Sequence, residues 1–360
     1  MNSHNRAEEE TSEVLVRVSG ACGRITLSRP RALNALNITM INEMHAALAA
    51  WAKDDSVHFV LVDGAGERGL CAGGDIRALY NSIVADQREV ATEFFRREYQ
   101  LNYEISRYAK PYVVLMDGIV MGGGIGISSH GSHRVVTERS QLAMPETAIG
   151  FIPDVGGTHL LGTAPGEIGT YMGLTGGRIG AADAIKCGLA DVMTRSEDLP
   201  RLALDLEACA GAAAMEQCLR SFAAPAPPGI FRERHAWIDE CFAASTVEEI
   251  LAALLGQADA EARSCGQEVK KMSPTSLKVT LRALRHARDA NSLEASLKQE
   301  FRLAQTCENG HDLIEGIRAA IVDKDRNPQW SPARMEEVTP EMVDAYFNDA
   351  GAASVELELT

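Results

Sequence analysis

Short apolar runs that end in glycine clusters and give way to amphipathic stretches set the strongest limit on how this chain can fold. Residues 57–62 and 112–116 have the length of buried strands, and each is followed by a glycine-rich segment, GAGERGLCAGGDIRAL and MDGIVMGGGIGISSHG. Continuous apolar runs of this kind suit strands covered on both faces, and glycine at their ends permits a tight reversal into a helix. The pattern predicts an α/β fold, a mixed sheet layered with helices. Upstream, residues 14–18 and 24–27 read as a strand pair around a turn at Gly20 to Gly23. Asn37 is placed to cap a helix that carries Met40, Met44, Leu48 and Trp51 on one face, so the chain opens in the order β-β-α-β. Residues 92–108 read as a long helix, 134–137 as a returning strand, and MPETAIGFIPDVGG as a loop.

From about residue 199 the pattern changes: Ala, Leu and Glu dominate, and apolar residues recur at helical spacing. The stretch AAPAPPG at 223–229 cannot continue a helix and reads as a linker. Beyond it, Ser273 is placed to cap a helix with Pro274 at its first position, and Gly310 precedes a helix carrying Leu313, Ile317 and Ile321. The 360 residues, at roughly 150 per domain, suggest two parts. They are expected to divide into a core at 12–225 and a carboxy-terminal helical region at 226–360.

Charge and cysteine content narrow the functional class. A formal charge of -15 argues against nucleic acid or an anionic membrane surface as a partner, so any anionic ligand must be held by local groups. No window approaches the roughly 18 apolar residues of a membrane span. The polar, acidic start MNSHNRAEEETSE has the character of neither a secretory signal nor a transit peptide, and the expected location is cytoplasmic. Eight cysteines show no C-x-x-C pair and no spacing with histidine that would hold a metal, so they are expected to be reduced and structural.

Three segments can aim backbone N–H groups at a ligand: Ala72-Gly73-Gly74-Asp75, Gly122-Gly123-Gly124 and Gly156-Gly157. Each alone is as well explained by a tight turn or close helix packing. A dinucleotide fingerprint fails on spacing, because Ile127 and Ser129 stand where the third glycine is needed, and no P-loop motif occurs. Ser128 and Ser129 beside His130 do not form a nucleophile elbow, and Cys71 reads as a packed thiol. Glu146 and Asp154 share one loop among apolar and structure-breaking residues, a setting in which desolvation tunes carboxylates for proton transfer or attack. Helix capping is the ordinary alternative for both. Glu98, within FFRREYQLN, would by helix position alone be a solvated face residue.

Taken together, RPRALNAL at 29–36, CAGGDI at 71–76, DGIVMGGGIGIS at 117–128 and MPETAIGFIPDVGGTHLL at 144–161 resemble the crotonase (enoyl-coenzyme A hydratase/isomerase) superfamily. Within it, FFRREYQLN at 94–102, SPTSLKVTLRAL at 273–284 and GHDLIEGIRAAIVDKDRNPQW at 310–330 resemble its branch of 3-hydroxyacyl-coenzyme A thioester hydrolases. The resemblance runs from about residue 12 to 347. It implies a crotonase-like spiral of repeated β-β-α units, with a carboxy-terminal helical layer covering the site and acyl-coenzyme A thioesters as substrates. By motif position, Gly74 and Gly123 would supply the two N–H donors of an oxyanion hole, each worth about 3 kcal/mol in comparable sites. Ala72 and Asp75 would lie at the adenine end of the substrate.

One departure separates the chemistries the superfamily supports. Its hydratases handle water with two glutamates, one just after the glycines and one in the later loop. Here the first position is Gly126, while the second matches Glu146, and Asp154 appears eight residues downstream. The resemblance therefore implies hydrolysis, with Glu146 attacking the thioester carbonyl or activating water, and with Asp154 and Glu98 orienting the 3-hydroxyl and the water. 3-Hydroxyisobutyryl-coenzyme A, an intermediate of valine breakdown, is the expected substrate. Coenzyme A is part of substrate and product, no metal or resident cofactor is expected, and a homo-oligomer is compatible with the reading. Two alternatives stand beside it. An enoyl-coenzyme A hydratase or isomerase on the same fold is disfavoured by Gly126, and a non-catalytic acyl-coenzyme A binding protein by the retention of Glu146 and Asp154.

Overall fold

The computed structural model describes residues 12–348 and 355–359. The acidic start of the chain, residues 1–11, and residues 349–354 and 360 of the expected helical region lie outside the described residues. Strands β1 (Val14–Ser19) and β2 (Cys22–Leu27) pair antiparallel, so the predicted turn is shorter and Cys22 and Gly23 belong to β2. Helix α1 (Ile38–Ala52) begins at Asn37, whose side chain accepts from the Met40 N–H at 2.9 Å, a cap worth about 1 kcal/mol. Its predicted face of Met40, Met44, Leu48 and Trp51 is buried. Strand β3 (Phe59–Gly64) then lies parallel to β2, as a crossover through a helix requires.

Helices α2 (Ile76–Val84) and α3 (Arg88–Ser106) precede β4 (Tyr112–Met116). Next come β5 (Ile119–Met121), α4 (Gly123–Ser129), β6 (His133–Val136), β7 (Gln141–Ala143) and, farther on, β8 (Val192–Met193). The main sheet has the order β1-β2-β3-β4-β6-β8, with every neighbour after β1-β2 parallel. Strands β5, β7 and β8 were not predicted: two or three residues carry no readable alternation. The interval between β7 and β8 holds α5 (Gly157–Gly162), α6 (Ile168–Thr175) and α7 (Ala181–Lys186).

The rest is helical, as its composition predicts: α8 (Leu199–Glu207), α9 (Ala212–Ser221), α10 (Phe231–Phe242), α11 (Val247–Gly256), α12 (Ala260–Val269), α13 (Pro274–Ala290), α14 (Leu293–Glu308), α15 (His311–Ile317) and α16 (Pro340–Phe347). Ser273 caps α13 by accepting from the Ser276 N–H at 3.0 Å, with Pro274 at the first position. Among the described residues no helix is long and apolar enough to cross a membrane.

The chain divides into two compact units that alternate along the sequence. One runs up to Gly74 and adds Leu101–Leu142 and Ile179–Gly229; the other comprises Asp75–Gln100, Ala143–Arg178 and the chain from Ile230. The last crossing falls at the end of the AAPAPPG stretch. The first unit has a core of Cys22, Phe59, Leu61, Val113, Leu115 and Val135 from the sheet against Leu202, Leu206, Met215 and Leu219 from α8 and α9. In the second, Ile152 packs with Val279 and Ala283 of α13, Leu303 of α14, and Val338 and Val343.

Candidate active site

In the first unit, RPRALNAL, CAGGDI and DGIVMGGG are stitched together by backbone and by one amide. Asn34 is buried; its Oδ1 accepts from the Arg29 N–H at 2.9 Å, and its Nδ2 donates to the carbonyls of Ala65 and Leu70, each at 3.1 Å. The segment after Leu70 pairs with β5: the Cys71 N–H donates to Ile119 O at 3.2 Å, and the Met121 N–H donates to Cys71 O at 3.0 Å. A Cβ built on Gly73 would lie 3.8 Å from the Gly123 nitrogen, so the two glycine segments meet. Gly124 allows that approach, since a Cβ there would stand 2.4 Å from Cys71 O. Gly123 is the first residue of α4, and its N–H precedes the intrahelical ladder. The structure thus brings the Gly74 and Gly123 segments side by side. Gly126 is buried within α4 and offers no side chain.

Ala72 and Asp75 have local duties. The Ala72 N–H donates to Leu33 O at 3.0 Å, and Asp75 caps α2 by accepting from the Ala78 N–H at 3.2 Å. Ser128 and Ser129 donate to the carbonyls of Gly124 and Leu189. All eight cysteines are free thiols, and Cys71 is fully buried.

The second unit gathers the acids. Glu98 on α3 is 2% exposed, not the solvated residue its helix position suggested. The cause is the face it shares with Phe95 and Tyr99, both buried; Phe95 stacks on Phe151, and Tyr99 meets Phe301 edge-on. Glu146 opens a short 3-10 turn, Glu146–Ile149, and is buried, as is Asp154. The Tyr99 hydroxyl donates to Asp154 Oδ2 at 2.7 Å, and burial keeps that phenol protonated by raising its pKa well above the usual value. Neither Glu98 Oε1 nor Glu146 Oε2 has a protein hydrogen-bond partner, although both are shielded from solvent. Such atoms call for a polar ligand or water.

A fourth carboxyl group, Glu300 of α14, is fully buried beside the turn that follows Asp154. Its Oε2 accepts from the Gly156 N–H at 2.7 Å; its Oε1 accepts from the Thr158 N–H at 2.9 Å and from the Thr158 hydroxyl. The turn has Val155 at φ +56° and Gly156 at φ +78°. A β-branched residue in that region costs on the order of 1–3 kcal/mol.

Burial raises the pKa of every member of this group. Asp154 is pushed up to about 7 by desolvation, against the lowering effect of the Tyr99 hydrogen bond. Glu300 reaches about 8 through burial, opposed by its bonds to Thr158 and Gly156. Glu98 and Glu146 are held well above the usual carboxylate range by desolvation first and by the charge of Asp154 second. The charge of Asp154 raises the pKa of each of the other three, so the four carboxyl groups titrate as interacting sites. Among the described residues no group of three or more His, Cys, Asp or Glu side chains is arranged to hold a metal ion.

Sequence reading named Glu98, Glu146 and Asp154 and missed Tyr99, Thr158 and Glu300. The signal for Glu300 was an acid on an apolar stripe, since Leu297, Phe301 and Ala304 are its buried neighbours along α14. Asn102, one turn beyond Glu98, was also missed; it is fully buried with both amide atoms unpartnered.

The family described as enoyl-CoA hydratase/isomerase matches residues 22–347. A protein named 3-hydroxyisobutyryl-CoA hydrolase, mitochondrial, from Xenopus tropicalis is 43% identical over 96% of this chain and 91% of its own. The Homo sapiens protein of that name is 40% identical over 99% and 92%. Among solved structures, one described as a carnitinyl-CoA dehydratase from Mycobacterium thermoresistibile has a TM-score of 0.92 at 45% identity, covering 97% of this chain and 99% of its own. One described as an enoyl-CoA hydratase from Rhodobacter sphaeroides 2.4.1 has a TM-score of 0.88 at 41% identity, covering 97% and 100%. Sheet, glycine segments, carboxy-terminal helices and near full-length identity agree: the chain belongs to the enoyl-CoA hydratase/isomerase family and has its crotonase fold.

Proposed function

We propose that this protein hydrolyses 3-hydroxyisobutyryl-coenzyme A to 3-hydroxyisobutyrate and free coenzyme A, a step of valine breakdown. The observation that carries the reading is the pairing of buried Glu146 and Asp154 in a chain that has Gly126 where a hydratase needs its first glutamate. Relatives of both vertebrate sources named above bear the hydrolase name over nearly the whole length of this chain.

The roles follow from charge. Attack on the thioester carbonyl builds negative charge on its oxygen, which the Gly74 and Gly123 N–H groups are assigned to hold. Ionised Glu146 either takes a proton from the attacking water or attacks the carbonyl itself to form an acyl–glutamyl anhydride that water then cleaves; the carbon–sulfur bond breaks, the sulfur takes up a proton as coenzyme A leaves as the thiol, and the water oxygen ends in the product carboxylate. Asp154 accepts a hydrogen bond from the substrate's 3-hydroxyl, and Glu98, with its unpartnered oxygen, orients the water. Ala72 and Asp75 belong to the adenine end. The scheme uses no metal and no resident cofactor. Eight free thiols fit a reducing compartment, the cytoplasm by this reading, although the vertebrate relatives are mitochondrial by name.

Hydration of an enoyl-coenzyme A is the second reading, prompted by the descriptions of the two solved relatives. Purified protein is expected to release free thiol from 3-hydroxyisobutyryl-coenzyme A without added metal and to leave the enoyl absorbance of crotonyl-coenzyme A unchanged. Hydration at a rate comparable with thioester cleavage would overturn the hydrolase assignment.

A second expected result concerns pH. The Tyr99 hydroxyl lowers the pKa of Asp154, so Tyr99→Phe raises it further above about 7. If ionised Asp154 is the working form, the acid limb of kcat/KM moves to higher pH in the variant. An unmoved limb would show that activity does not follow the ionisation of Asp154.

A further inference from the structure

Glu300 lies outside every motif that carries the family resemblance, 142 to 144 residues in sequence from the groups it binds. All three donors to its carboxyl group come from one turn, and that turn begins at Asp154. Backbone strain makes the arrangement informative. Val155 occupies the left-handed region, and the Gly157 N–H closes back onto Asp154 O at 2.6 Å. A β-branched residue stays in such a conformation only where its surroundings fix it. Glu300 supplies bonds immediately beyond the strained residue, to Gly156 and to Thr158, while Tyr99 holds the carboxylate immediately before it.

We propose that Glu300 is a positioning residue, which grips Gly156 and Thr158 from α14 and so holds the strained turn in the conformation that presents Asp154 to the substrate's 3-hydroxyl. The inference rests on the reading of Asp154 as the group that binds that hydroxyl. Glu300 touches no reacting atom; its effect reaches the substrate through the aim of Asp154. It therefore governs discrimination between hydroxylated and plain acyl chains, a property that general loosening of the fold would not change selectively.

Glu300→Gln sets an NH2 group against N–H and O–H donors and loses at least one of the three bonds. In the folded variant, kcat/KM for 3-hydroxyisobutyryl-coenzyme A is expected to fall by about 10- to 10²-fold, the range for a buried donor left without its acceptor. The fall for isobutyryl-coenzyme A is smaller, so the ratio of the two narrows. Combined with Asp154→Ala, Glu300→Gln is expected to narrow the ratio no further, because a residue that acts through Asp154 has nothing left to aim. Thr158→Val, which removes only the hydroxyl donor, narrows the ratio in the same direction, and Thr158→Ser restores it. That pair decides the matter if Glu300→Gln does not fold.

An unchanged ratio in folded Glu300→Gln, or in Thr158→Val when the former is lost, overturns the proposal. So does a multiplicative effect in the double variant. Failure of the underlying reading looks different: Asp154→Ala alone would then leave the ratio unchanged. Positioning still stands in that case if the losses in kcat from Glu300→Gln and Asp154→Ala are non-additive, and falls if they multiply.

Discussion

Glu146→Gln is expected to lower turnover of 3-hydroxyisobutyryl-coenzyme A by about 10²- to 10⁴-fold with little change in substrate affinity. Glutamine matches the shape of the side chain at the head of the Glu146–Ile149 turn and removes only its capacity to carry charge and attack. The loss falls on kcat because a base or nucleophile acts on the way to the transition state, whereas binding draws on the rest of the substrate. Folding should not suffer. Burial holds the Glu146 carboxyl well above its ordinary pKa, so its contribution to stability is fully present below the unfolded-state pKa and is lost as pH rises through the folded value. Glutamine cannot ionise, and above that range the variant should melt no lower than the wild type. Calorimetry beside steady-state kinetics checks both halves. Turnover near wild type would make Glu146 a structural residue.

Asp154→Ala should separate substrates where Glu146→Gln cannot. A pocket built to bond a hydroxyl rejects the analogue without one much more strongly than an apolar pocket rejects a methylene, because its polar groups are left unpaired. Isobutyryl-coenzyme A should therefore be a poor substrate of the wild type. In Asp154→Ala, activity on the hydroxylated substrate should drop by about 10²-fold or more, and the low activity on isobutyryl-coenzyme A by much less. The substitution also orphans the buried Tyr99 hydroxyl, at a cost of about 1–3 kcal/mol. Asp154→Asn keeps an acceptor oxygen for Tyr99 and serves as the folded control. An equal fall on both substrates would assign Asp154 to the chemistry or to its loop, and not to the hydroxyl.

What the sequence disclosed depended on whether the partners of a residue lie near it in the chain. Asn37 and Ser273 were legible as caps because each bonds an N–H three residues away. Glu146 and Asp154 were legible because one short loop holds both among residues that neither solvate nor pair them. Glu98 was legible through resemblance only: helix position argued for solvent, and the aromatic contacts of Phe95 and Tyr99 that carry it inward are tertiary. Glu300 was hidden for the same reason, since the donors that explain a carboxylate on the apolar stripe of α14 stand far away in the chain. Nor could composition reveal that the compact units alternate along the sequence, because it registers a change of character at residue 199 and not which segments meet.

That alternation bears on how the protein comes into being. The unit that holds the acids is built from three separate stretches, and the one bearing Glu300 is the last to leave the ribosome. Until then the turn at residues 154–158 has no grip from α14, and the nascent chain carries apolar surface prone to aggregation. A gene copy cut short before α14 would retain all four motifs that mark the family and would encode a chain without Glu300. Motif counts alone would register such a pseudogene as an intact enzyme.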